Sequence, residues 1–332
     1  MSSPSAPTPS RRLVATAALL LSVVGCDAAQ PPPSVADDGV SFVVFGDQPY
    51  AESDVASFPS LVSEVNGVDV PFVIHVGDIK AGSAPCSDSL ILHRRDLYRG
   101  FQAPVAFTPG DNEWTDCHRA GGVPLERLAF LRDAFYGADG LRRPDGSVVQ
   151  GDEPGRDAEF VENARWVHEN IVFATAHVVG SDNGREAFEG RLPADDDEVR
   201  RREAAVTDWV AETFEWAGEL GAAAVVITVH ADLDFAAAAG GAPIPAFQHV
   251  LDPLEAGVRS FDGLVLLLHG DTHSCLLDTP SFGPGTETAP NFVRLRVSGG
   301  ARQVGWFLVT LRPGSDEPVT VVPRMLRGGC SL

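Results

Sequence analysis

The sequence predicts an α/β fold built around a parallel sheet layer. Three observations carry that reading. Short β-branched runs alternate with helical segments, several of the runs close on a Gly-Asp pair, and 44% apolar residues is ample for a buried core. Residues 40–46 (VSFVVFG) read as the first strand and open into a loop at Asp47. Residues 55–66 have helical spacing. Residues 70–76 (VPFVIHV) read as a second strand closing on Gly77-Asp78, and residues 87–100 as a helix with Leu90, Leu92 and Leu97 among polar positions. Residues 104–108 (PVAFT) make a third strand, closed by Pro109-Gly110-Asp111. Strand, helix, strand, helix, strand is the pattern of parallel strands whose functional loops gather at their carboxyl ends.

The later chain continues the theme. Residues 125–136 have an amphipathic helical pattern, and residues 137–156 are rich in Gly, Asp and Pro and read as a surface loop. Residues 159–167 and 170–179 read as successive strands of a hairpin. Residues 198–220 form a helix with Val206, Trp209, Val210, Phe214 and Ala217 at core spacing. Residues 222–229 (AAAVVITV) make a buried strand ending at His230, and residues 264–268 (LVLLL) another ending at His269-Gly270-Asp271. Late strands fall at 292–297, 304–311 and 319–322. No Pro/Gly linker divides residues 39–328, so one domain is expected there.

Charge narrows the partners. Across 332 residues, 46 acidic side chains face 25 basic ones, a formal net charge of −21. That balance argues against nucleic acid or an anionic membrane surface as a stable partner. The basic residues are almost all Arg, and Lys80 is the lone lysine.

The first residues predict export. Arg11 and Arg12 precede an apolar run over residues 13–24, too short for a membrane span and suited to the core of a signal peptide. The run closes on Val23-Val24-Gly25-Cys26, which resembles a bacterial lipobox. Residues 1–25 are thus expected to be a lipoprotein signal peptide, Cys26 the lipidated residue, and residues 26–38 a flexible tether. The membrane would be met only through that lipid, at the periplasm or cell surface. Four other cysteines remain, an even number in an oxidising compartment, and three pairings are possible. Cys86 and Cys117 each follow a candidate metal-binding Asp by a few residues, which favours Cys86–Cys117 and leaves Cys275–Cys330. A cysteine zinc site is the alternative, but no C-x-x-C spacing occurs.

Five predicted strands end in a hard ligand: Asp47, Asp78, Asp111, His230, and the segment carrying His269, Asp271 and His273. Any one Asp after a strand-terminal Gly is a common turn or capping residue. Five on the same edge of a sheet are a different matter, because clustered carboxylates repel unless cations neutralise them. A mixed Asp/His set suits Mn²⁺, Fe, Zn²⁺ or Mg²⁺, and a pair of such ions activates water for in-line displacement at phosphorus.

In order, strand context and spacing, these motifs resemble those of the calcineurin-like metallophosphoesterase superfamily: D-x-H, G-D, G-N-H-D/E, a lone His after a strand, and G-H-x-H. The counterparts are Gly46-Asp47-Gln48-Pro49, Gly77-Asp78-Ile79-Lys80, Gly110-Asp111-Asn112-Glu113, Val229-His230 and Gly270-Asp271-Thr272-His273. The resemblance implies a four-layer αββα sandwich, two mixed sheets flanked by helices. It also implies two divalent ions, one on Asp47, Asp78 and His273, the other on the shared Asp78 with Asp111, His230 and Asp271. Four positions depart from the pattern, three of them at a histidine: Pro49 and Asn112 where it has His, and Asp271 where it has the first His of the last motif. Asp111 stands in place of Asn. The shift towards oxygen ligands favours Mn, Mg or Fe over Zn.

The implied activity is hydrolysis of a phosphomonoester or phosphodiester by a metal-bound hydroxide at the dinuclear site. Asn112 can donate a hydrogen bond but not a proton, so His269, beside the last motif, is the candidate proton donor, with His118 a further one. Lys80 is the candidate point charge for substrate phosphate. The alternative reading is a member that keeps the fold and metal but not hydrolysis, a scaffold lipoprotein. No G-x-S-x-G or Walker-type loop supports an unrelated hydrolase.

Overall fold

The computed structural model describes residues 1, 39–152 and 159–332. The expected leader, tether and lipidated Cys26 lie outside the described residues. Strand β1 (Val40–Phe45) leads through helix α1 (Glu52–Asn66) to β2 (Val73–His75), and α2 (Asp88–Tyr98) leads to β3 (Val105–Phe107) and α3 (Pro124–Tyr136). A second run follows: β4 (Val148–Val149), β5 (Ala164–His168), β6 (Ile171–Thr175), α4 (Pro193–Leu220), β7 (Ala224–Thr228) and the short α5 (Phe235–Ala239). It continues through α6 (Gln248–Ser260), β8 (Leu264–His269), β9 (Leu276–Asp278) and β10 (Phe292–Arg296). Strands β11 (Val304–Leu311) and β12 (Val319–Arg327) close the fold.

Two sheets result, ordered β12-β11-β1-β2-β3 and β4-β5-β6-β7-β8-β10-β9. In the first, β1, β2 and β3 are parallel and β11 and β12 antiparallel. In the second, β6, β7, β8 and β10 are parallel, with antiparallel strands at both edges. Both sheets are thus mixed. Alternation along each strand sets the layers. Phe42 and Val44 of β1 face Phe173, Val226 and Leu266 of the other sheet. Val43 and Phe45 point outwards onto Phe58 and Leu61 of α1 and Leu131 of α3. Val225 and Ile227 of β7 point outwards onto α4 and α6 through Val206, Val210, Val250 and Leu254. Burial on both faces explains why these strands read as continuous apolar runs. The architecture is helices, sheet, sheet, helices, the calcineurin-like phosphoesterase fold.

Several boundaries differ from the sequence reading for identifiable reasons. The second strand begins at Val73 rather than at 70, where Pro71 has no N–H to give a ladder. The hairpin strands shrink to β5 and β6, paired from Arg165↔Ala174 to His168↔Ile171. Helix α6, a segment the sequence reading leaves unassigned, has Pro253 inside it. Proline there removes the hydrogen bond to the carbonyl four residues back. That carbonyl, of His249, instead accepts the Thr207 hydroxyl of α4 at 2.8 Å. A tertiary contact therefore compensates what local propensity forbids. Both expected disulfides, Cys86–Cys117 and Cys275–Cys330, are formed, cross-links that persist in an oxidising compartment. Among the described residues no helix is long and apolar enough to cross a membrane.

Candidate metal centre

Strands β1, β2, β3, β7 and β8 all end at one pole of the sandwich, and their turns are unusual. Asp47 (φ 54°), Asp78 (φ 65°), Asp271 (φ 73°) and His273 (φ 58°) all adopt the left-handed conformation. A non-glycine residue held there costs about 1–3 kcal/mol, and such strain collects at functional sites. Aspartate tolerates it better than most. Two glycines let the turns nest. Gly77 has φ 97°, and a Cβ on it would meet the Gly110 amide and His230 Nδ1. A Cβ on Gly110 would run into the Asp78 carboxylate.

The nested turns bring six side chains together. One donor atom from each of Asp47, Asp78 and His230 lies within 4.8 Å of the others, and the same holds for Asp111, His230 and Asp271. His230 Nε2 stands 3.4 Å from both Asp78 Oδ1 and Asp111 Oδ1, and 3.9 Å from Asp271 Oδ1. His273 Nε2 is 3.5 Å from Asp47 Oδ1. The His230 Nδ1–H donates to the Val76 carbonyl at 2.8 Å, which leaves the Nε2 lone pair for the centre of the cluster.

Burial of charge is the dominant energetic fact, with charge crowding next. Burial pushes the Asp47 carboxyl up to about 8; the His230 charge opposes this, and Asp271 and Asp111 add to it. Asp78 is likewise held well above the carboxylate range, first by burial, with His230 opposing and Asp111 and Glu113 adding. Asp111 moves the other way. Burial would raise it, but His230 and the Ser181 hydroxyl outweigh that and hold it below the usual value. Burial would lower His230, yet Asp78, Asp111 and Asp271 keep it well above the usual imidazole value. Asp47 Oδ2 and His230 Nε2 are buried without a hydrogen-bond partner. Buried carboxyls that hold protons, beside an imidazole nitrogen with no hydrogen-bond partner, are what a divalent cation would satisfy by displacing those protons. The donor set fits one.

The surrounding residues hold the cluster in place. The Glu113 carboxylate accepts the amides of Asp78, Ile79 and Gly110, at 3.2, 3.3 and 2.6 Å, and so ties two of the turns together. Asn112 donates its backbone amide to Asp78 Oδ1 at 3.1 Å and its side-chain amide to Asp78 Oδ2 and, at 2.9 Å, to the Tyr50 oxygen. Tyr50 was missed by sequence reasoning. Its hydroxyl donates to Asp78 Oδ2 at 2.5 Å and lies 3.2 Å from His273 Nε2. It follows Pro49, the position where the motif pattern has His, by one residue. A search for imidazole at the motif position passes over a phenol beside it. Ser181 was also missed. Its Oγ is 2.6 Å from Asp111 Oδ2 and 2.8 Å from Asp116 Oδ1.

Other expected site residues go elsewhere. Lys80 is a correction: it is fully buried, and its ammonium donates to the carbonyls of Ala81 and Ala84, both at 3.1 Å, so it pins its own loop rather than meeting phosphate. His269 is another. It points outwards from β8, where Asp232, Arg294 and Arg296 are the charges around it, and burial pushes its pKa down to about 3. It is not placed to protonate a leaving group at the cluster. Gln48 bridges to both the N–H and the carbonyl of Gly305 and faces away from the cluster. The His118 ring stacks on Phe188 at 4.4 Å and its Nδ1 is 2.8 Å from the Thr115 carbonyl.

A cavity of about 710 Å³ lies at the other ends of the strands, lined by residues including Gly39, Asp69, His168, Asn170 and Arg312. It contains none of the six convergent side chains.

No family model matches the sequence, and no curated protein matches it. Among solved structures, PhoD superposes with a TM-score of 0.54 at 12% identity, over 91% of this chain and 73% of that one. At that identity the likeness is one of fold. A double mutant of Vps29 from Entamoeba histolytica aligns at 9% identity over 87% of this chain and 100% of that one, with a TM-score of 0.27, too loose to carry an argument.

Proposed function

We propose that this protein is a metal-dependent phosphoesterase, hydrolysing a phosphomonoester or phosphodiester at a centre held by Asp47, Asp78, Asp111, His230, Asp271 and His273. The observation that carries the reading is the convergence of these six side chains from five strand ends of two sheets, with buried donor atoms left unpaired. Two divalent ions, Mn, Mg or Fe by the oxygen-rich donor set, would supply positive charge for the phosphoryl oxygens and a water of lowered pKa. The chain's own part is positioning. Asp78, touched by His230, Asn112 and Tyr50, would be shared between the ions by the motif pattern, and His230 belongs to both groups of converging donors. The Asn112 amide and the Tyr50 hydroxyl fix its second oxygen. His273, the most exposed member with 44% of its side chain accessible, stands at the mouth.

The test is direct. The purified chain is assayed for bound metal and for Mn²⁺-dependent turnover of p-nitrophenyl phosphate and bis(p-nitrophenyl) phosphate, beside Asp78→Asn. Metal in the wild type, with turnover lost in the variant, is the expected result; absence of metal would sink the reading. A second reading has one observation in its favour. Asn112 is committed to Asp78 and Tyr50 and has no proton to give, which suits a metal-binding scaffold that does not hydrolyse esters. Tight metal with no turnover of either ester would decide for it.

We also propose export and lipid attachment at Cys26, supported by the apolar run ending Val23-Val24-Gly25-Cys26 and by the two disulfides. The mass of the mature N-terminal peptide tests it, an unmodified Cys26 being the outcome that refutes it.

A further inference from the structure

We propose that the site selects singly charged phosphodiesters over doubly charged phosphomonoesters, an inference that rests on the phosphoesterase reading above. The reason is the number of carboxylates aimed at the centre. The motif pattern that the sequence resembles has two, from its first and second motifs. Here there are four, because Asp111 stands where that pattern has Asn and Asp271 where it has His, and both lie within reach of His230 Nε2. Two divalent ions between two carboxylates keep a net charge of two; between four carboxylates they keep none. A phosphomonoester carries close to two negative charges at neutral pH, whereas a diester carries one.

The basic groups around the rim do not restore the balance. The Arg119 guanidinium, near Ser181 at 3.3 Å, is already paired with Asp116 and, at 2.8 Å, with Glu186. Arg296 is paired at 2.6 Å with Asp232, whose amide donates to Asp271 Oδ2. Lys80 is turned onto backbone carbonyls. Arg119, Asp116 and Glu186 together keep one net negative charge, and Asp116, with 1% of its side chain exposed, stands one hydroxyl away from Asp111. A dianion arriving here meets a neutral centre inside an acidic wall, and each added unit of negative charge is opposed at close range in a medium less polar than water.

The same balance acts on the product. In diester hydrolysis the water oxygen bonds to phosphorus and one P–O ester bond breaks, its electron pair leaving with the alkoxide. One proton of the water ends on that alkoxide and the other is released or stays on the phosphate. One water is consumed, and an alcohol and a phosphomonoester are formed. The monoester is the species that the site holds least well, so it departs rather than being cleaved again.

The experiment uses the full chain loaded with Mn²⁺. We expect kcat/KM for bis(p-nitrophenyl) phosphate to exceed that for p-nitrophenyl phosphate at least about tenfold. The diester should release one nitrophenol and no inorganic phosphate. Asp111→Asn and Asp271→Asn each remove one negative charge at nearly constant shape, and either suffices should the other fail to fold. Each should reduce the diester preference about tenfold and tighten the binding of inorganic phosphate by a similar factor, read by calorimetry without turnover. Equal or faster turnover of the monoester, or a preference and phosphate affinity unmoved in both variants, would overturn the proposal and leave the phosphoesterase reading standing. Loss of both activities in the metal-loaded wild type would overturn both.

Discussion

The two sheets contribute unlike halves of the centre. The first sheet supplies Asp47, Asp78 and Asp111, three side chains at most 9% exposed, in glycine-tight turns of which Glu113 ties the second and third together. The second supplies His230, fully buried with its tautomer set by Val76, and then Asp271 and His273, whose side chains are 27% and 44% exposed. One half is rigid and starved of solvent, the other graded from core to mouth. Carboxylates so deeply buried are tolerable only if something neutralises them, whereas exposed ligands can be satisfied by water. Retention of metal should therefore depend on the first sheet, while the second tunes access.

The comparison breaks most sharply at Asp78. Asp78→Ala removes the carboxylate that touches both sides of the cluster, and we expect metal affinity to fall by more than about a hundredfold, beyond the range typical of outer partners. His273→Ala, on the exposed side, should cost roughly tenfold or less. Metal titration of both variants by calorimetry checks the ranking. Equal losses would show that the two halves are not different in kind.

A second way to sharpen it is pH. Burial lifts the Asp47 carboxyl from its ordinary value near 3.8 to about 8 in the metal-free protein. A folded-state pKa above the unfolded one means that the folded chain binds the proton more tightly. The stability from this group is present below the unfolded pKa and is lost as pH rises through the folded one. His230, raised by its carboxylate neighbours, acts in the same direction. Stripped of metal, the protein should therefore lose stability between about pH 4 and 8, its Tm falling by about 5 °C or more. With Mn²⁺ present the protons are displaced, and the fall should vanish or reverse. Melting curves across that range, with and without chelator, decide the matter; a metal-free Tm that rises towards pH 8 refutes the burial argument.

Much of this was legible in the sequence, and the exceptions share a cause. Asp47, Asp78 and Asp111 could be read because each follows a buried strand and a glycine, a local pattern. His269 was misread although period-two alternation could have excluded it. Leu266 and Leu268 face between the sheets, Val265 and Leu267 face the helices, and the next residue follows the outward side. Lys80 follows Asp78 by two residues, but its loop folds back on the Ala84 carbonyl, a path no spacing reveals. Helix α6, unassigned in the sequence reading, carries Pro253, and the Thr207 hydroxyl that takes up the freed carbonyl lies far away in sequence. Tyr50 and Ser181 matter only through neighbours brought together by tertiary structure. Local chemistry was readable; contact across the fold was not.

Ser181 offers the finest test of how the two halves are joined. Ser181, Asp182 and Asn183 are three successive non-glycine residues in the left-handed conformation, with φ of 51°, 54° and 55°. Buried Arg202 holds this turn, donating to Asn183 Oδ1 at 2.5 Å and to its carbonyl at 2.9 Å while paired with Glu198 at 2.8 Å. The turn belongs to the connection after β6 of the second sheet, yet its serine grips Asp111 of the first. Because Ser181 occupies Asp111 Oδ2, Oδ1 is left facing His230 and the centre. Ser181 is thus a positioning residue that sets which oxygen Asp111 presents. Ser181→Ala should weaken metal binding about tenfold, the scale of an outer partner of a ligand. Ser181→Gly separates this role from a structural one. Glycine accepts positive φ without strain, so that variant should be as stable as the wild type or more so, yet lose the same metal affinity. If Ser181→Gly binds metal as the wild type does, the hydroxyl does not orient Asp111, and the halves are joined by His230 and by the contacts of Asp271 and His273 with Asp47 instead.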